Sequence, residues 1–162
     1  MLMQYFKISV GIFIALAASR FIPHPPNFTS LLALSFYVPV ILGIRYIPAL
    51  MISFVITDLF IGFHGVSLFT WGSVIFIGLL SKYFTSTIFS RLLGANIGAC
   101  LFFIITNFGV WSLGSYGYSF EGLISCYVLA LPFFGNSLIG TLIFSAIFEI
   151  IFTKKILIKN FQ

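Results

Sequence analysis

Residues 47–63 read IPALMISFVITDLFIGF. Sixteen of these seventeen positions carry no charge, and the exception is Asp58. The run is continuous rather than alternating, so a barrel strand with one wet face is excluded. A helix through it is long and apolar enough to cross a bilayer, which takes roughly 17–25 residues. A carboxylate inside such a run costs several kcal/mol without a partner, about 3 kcal/mol on insertion scales, and marks a functional site by default.

The rest of the chain agrees. Hydrophobic residues make up 60% of the 162, charged residues 7%, and 22 are Phe. A water-soluble domain of this size has no means of hiding so much apolar surface. We read an all-α integral membrane protein in one transmembrane domain, a six-helix bundle with spans near 5–19, 31–44, 47–63, 66–80, 92–113 and 133–152. Pro132 and Gly135 are expected to break the last apolar stretch, leaving 121–131 as a short helix at the membrane surface. With the N-terminus in the cytoplasm, Lys7, Arg45, Lys82, Arg91, Lys154, Lys155 and Lys159 fall inside and Arg20 alone outside. That bias places both termini in the cytoplasm. The net charge of +5 is thus topology information and points to lipid rather than nucleic acid as the partner. A second reading of the N-terminus stays open: Lys7, a short apolar run and Ala15-Leu16-Ala17 also fit a cleavable signal peptide.

On this orientation the hydrogen-bonding groups gather in the outer half. Asp58 lies near the outer end of its span, His64 just beyond it, and Asn107 in the outer part of the fifth span with Trp111 one turn further. Asn136 starts the sixth. Arg20, His24 and Asn27 sit in the first outer loop, whose three prolines make it stiff. These eight residues are the expected lining of a substrate pocket opening outward, walled by aromatics. The alternative is that Asp58 pairs with Arg20 or His24 and only pins the loop, and that Asn107 and Asn136 are packing devices. Gly11, Ala15 and Ser19 recur every fourth residue on the first span, a pattern that permits close helix approach, either within the bundle or to a partner subunit.

No enzyme is expected. Asp58 is the sole Asp, which denies an aspartyl peptidase its carboxylate pair. The histidines lack the setting of a serine peptidase or the spacing of a metal site, so neither metal nor cofactor is expected.

Four stretches carry a resemblance: 20–29 RFIPHPPNFT, 58–64 DLFIGFH, 106–111 TNFGVW and 126–136 CYVLALPFFGN. They resemble an uncharacterised family of small bacterial membrane proteins, itself similar to the substrate-binding S components of energy-coupling factor (ECF) transporters. The resemblance implies capture of a vitamin-like molecule or cofactor precursor from outside. It also implies a transmembrane coupling subunit docked on small residues of the first helix, matched by Gly11, Ala15 and Ser19, and separate ATPases for energy. The competing reading is a scaffold of a cell-envelope or cell-shape complex, which needs docking faces and no outer pocket.

Overall fold

A computed structural model describes residues 2–160, with side chains as far as residue 153. Among these residues every regular element is helical. The helices are α1 (Leu2–Phe21), α2 (Leu31–Leu42), α3 (Ile47–Ile61), α4 (Ser67–Leu80), α5 (Ile88–Ser112) and α6 (Phe120–Asn160), with 3₁₀ turns at Ile44–Tyr46 and Ser81–Tyr83. Four stretches are long and apolar enough to cross a membrane: Leu2–Phe21, Ile44–Ile61, Ile88–Ser112 and Phe120–Thr153. The other two helices, α2 and α4, have 12 and 14 residues.

Helix ends follow local chemistry. Gly43 and Gly62 stop α2 and α3 with φ of 99° and 112°, a backbone setting that side chains with a Cβ resist. Each donates its N–H back to the carbonyl four residues earlier, Pro39 and Asp58 respectively. The expected break at Pro132 does not occur: α6 is one helix of 41 residues, and 121–131 is its first part rather than a separate surface helix. Packing along α5 explains this. Tyr127, before the proline, donates from its hydroxyl to the Ile104 carbonyl at 2.7 Å, and Phe134, after it, stacks on Phe103 at 4.5 Å between centroids. Both halves are clamped to one partner helix, and the proline's lost N–H bond is tolerated, as it is in membrane helices.

The core is built round α2. Leu31 to Val38 are all buried, so this helix has no lipid or water face over two turns. One cluster joins Leu16 of α1 to Leu34, Leu50, Phe54 and Val74. A second joins Phe36 and Tyr37 to Ile77 of α4 and Ala95 and Ala99 of α5. Gly94 and Gly98 serve that second cluster. A Cβ on Gly94 would stand 2.6 Å from Phe84 and 2.7 Å from Phe36, and one on Gly98 would stand 2.9 Å from Ile77. The small-residue face of α1 divides. Ser19 Oγ lies 2.7 Å from Ser30 Oγ, and Ser30 Oγ donates to the Ala15 carbonyl at 3.3 Å. Ala15 and Ser19 therefore serve the internal junction with α2, whereas Gly11 is exposed with nothing within 4 Å of its Cβ position.

Candidate functional site

One end of the bundle gathers the loop between α1 and α2, the α3–α4 turn and the α5–α6 connection. We call it the loop end. Gly62 ends α3 one turn past Asp58, so the chain doubles back and Trp71 of α4 faces the same carboxylate. Asp58 Oδ1 is 2.6 Å from Arg20 Nη2, and its Oδ2 accepts the Trp71 indole N–H at 2.7 Å. Arg20 donates through Nη1 to Thr57 Oγ1 at 2.7 Å, and its guanidinium lies 4.8 Å over the Phe54 ring. Asp58 is 1% exposed. Both its oxygens are satisfied, which is what a buried carboxylate requires. Of the two partners considered from sequence, Arg20 is the one used.

Beside this pair opens a cavity of about 480 Å³. Arg20, His24, Asn27, His64 and Asn107 line it, while Asp58, Trp111 and Asn136 do not. The three that fall outside have other engagements. Asp58 stands behind Arg20. Trp111 donates from its indole to the Ser119 carbonyl at 3.2 Å, across the α5–α6 connection. Asn136 donates to the Pro26 carbonyl at 3.0 Å and so ties the proline-rich loop to α6. Asn27 takes φ of 64° in that loop, the left-handed setting that asparagine accepts more readily than most residues. His24 Nδ1 lies 2.7 Å from the Pro25 carbonyl oxygen. Asn107 donates to the Phe103 carbonyl of its own helix at 2.8 Å.

Sequence reasoning missed Thr29, Thr70, Thr106 and Ser137 in the lining; the expected aromatic wall is made of Phe102, Phe103, Phe133 and Phe134, with Phe54. The signal for Ser137 was present. Ser137, Thr141, Ser145 and Glu149 recur every fourth residue on α6, and all four are buried. Such a stripe fixes which face turns inward, and it excludes Asn136, one residue or about 100° away. At its far end Glu149 forms a bidentate pair with Arg91, at 2.6 and 2.7 Å, and accepts the Tyr37 hydroxyl at 2.8 Å. Between them, Thr141 Oγ1 and Ser145 Oγ have no hydrogen-bond partner among the described residues.

Among the described residues no three His, Cys, Asp or Glu side chains converge as a metal site, and Cys100 and Cys126 are both free thiols. Neither a curated protein nor a solved structure matches the chain. A sequence model described as "Family of unknown function (DUF6580)" matches residues 2–157, nearly the whole chain, and the protein therefore belongs to that family.

Proposed function

We propose that this protein is the substrate-binding subunit of a membrane uptake system of the ECF kind, capturing a small vitamin-like molecule at the loop end. The observation that carries this reading is the cavity beneath the proline-rich loop. About 480 Å³ lies within the usual range of small-molecule sites, about 300–1,000 Å³. Its walls are mainly apolar and aromatic, with polar side chains converging from four helices and two connections. A scaffold has no need of such a space and is better served by a filled interior.

In this reading all six helices lie in the bilayer of a bacterial plasma membrane. The short α4 is extended by the 3₁₀ turn Ser81–Tyr83 that follows it, and the turn Ile44–Tyr46 belongs with α3. Lys7, Arg45, Lys82 and Arg91 lie towards the end opposite the loop end, which is the cytoplasmic side by the positive-inside rule, and both termini share it. Energy comes from a coupling subunit and ATPases. Gly11 and its exposed neighbours on α1 are the docking face, since Ala15 and Ser19 are occupied within the bundle.

The test is to release and identify small molecules by mass spectrometry from protein purified in mild detergent, for wild type and Ala130→Trp. Ala130 lines the cavity, and an indole there takes up part of the space a ligand would need. One defined compound held by wild type and lost from the variant is the expected result. Wild type that retains no compound and takes up none from a vitamin panel, yet still captures cell-envelope proteins, overturns the reading in favour of a scaffold.

A further inference from the structure

The cavity has a charge pattern that its shape does not require. The chain has three acids in all, Asp58, Glu121 and Glu149, and none of them lines the cavity. Arg20 does, with Asp58 buried behind it. The pair is neutral as a whole but oriented, with the guanidinium towards the cavity and the carboxylate away from it. A guanidinium has five N–H donors. Thr57 takes one and Asp58 is served by another nitrogen, so N–H donors remain on a side chain that lines the cavity. To the same lining α5 and α6 supply Phe102, Phe103, Phe133 and Phe134, of which Phe103 and Phe134 are stacked with their planes 27° apart.

We infer that the ligand is a flat aromatic or heteroaromatic molecule, neutral or anionic. Its carboxylate or carbonyl end is set against Arg20 and its ring against the α5–α6 phenylalanines. This inference rests on the ligand-site reading above. A carboxylate or carbonyl finds unused donors at Arg20, and a ring finds apolar area to bury. A cationic ligand finds no carboxylate in the lining and meets a fixed positive charge, an arrangement that strongly disfavours it. Aromatic walls do attract cations. Here, however, the Phe54 face is already covered by Arg20 itself, and phenylalanine is the weaker partner beside Trp.

Three probes of one shape test this: 2-naphthoate, 2-naphthamide and 2-naphthylmethylammonium, titrated calorimetrically into the protein in nanodiscs of zwitterionic lipid. Naphthoate and naphthamide are expected to bind saturably, and the ammonium at least about tenfold more weakly. In the double variant Arg20→Gln/Asp58→Asn, which keeps the site neutral, naphthoate is expected to weaken about tenfold or more while naphthamide changes little. Ammonium binding as tight as naphthoate, or naphthoate binding unchanged in the double variant, overturns the inference and leaves the ligand site standing. Absence of saturable binding by all three, or binding unaffected by Ala130→Trp, overturns the inference, and only together with a wild type that retains no compound on purification does it overturn the ligand-site reading as well.

Discussion

Replacing Asp58 by Asn removes one charge and almost no volume, so its cost isolates the ion pair. Removing one partner of a buried pair typically costs about 3–5 kcal/mol, because the other charge stays buried and uncompensated. Two features of this site lower the figure. The Arg20 side chain keeps 13% of its exposure and sits in the last turn of α1, from which a long side chain reaches towards the interface. The Asn carbonyl oxygen also still accepts from Arg20 or Trp71. We therefore expect a loss of about 2–3 kcal/mol. It is measured by equilibrium unfolding in mixed micelles, followed by tryptophan fluorescence. Arg20→Gln is expected to cost a similar amount, and the double variant about 2 kcal/mol less than the two singles added. A single-variant loss below about 0.5 kcal/mol would mean that the charges are screened by water and contribute little, as at exposed sites. In that case the oriented pair that gives the cavity its sign does not exist.

Four further outcomes are expected. Gly94→Val drives a branched side chain into Phe84 and Phe36 and is expected to destabilise by about 1–3 kcal/mol or more. Gly11→Val meets open space and is expected to change stability by less than about 0.5 kcal/mol, so equal losses in the same unfolding assay refute the assignment of the two faces. Asn136→Ala frees the Pro26 carbonyl, and hydrogen exchange should quicken in residues 24–30 while α2 keeps its protection; unchanged exchange shows that the loop is held by its prolines alone. Reporter fusions at Gln162 and within 115–118 should report opposite sides of the membrane, and the same side for both eliminates the six-span arrangement.

The helical class and most helix positions were legible because unbroken apolar runs and stop signals such as Gly43 and Gly62 act locally. Pro132 shows where local reading fails: its effect depended on α5 clamping the chain on either side, which no window of sequence contains. The candidate site divides in the same way. Its location at the loop end could be read from where polar residues gather along the spans. Which of them face the cavity is a matter of helix rotation, and Asn136 and Ser137 differ by one position but point to a loop and to the cavity respectively. The Arg91–Glu149 pair joins residues 58 apart and leaves no trace in spacing. Asp58 was conspicuous as a charge, but only Trp71 and Arg20 in place show that it acts from behind the cavity wall.

The two arginine–carboxylate pairs have an electrical consequence. A unit charge moved across a membrane held at 100 mV exchanges about 2.3 kcal/mol with the field. Arg20 with Asp58 lies at one end of the bundle, and Arg91 with Glu149 lies towards the other. Each pair sums to zero, so a rearrangement that keeps both intact carries no net charge from them through the field. The membrane potential therefore acts on these four groups only through the dipole that each closed pair keeps, and a turn of the bundle couples them to the field less than carrying one bare charge across would.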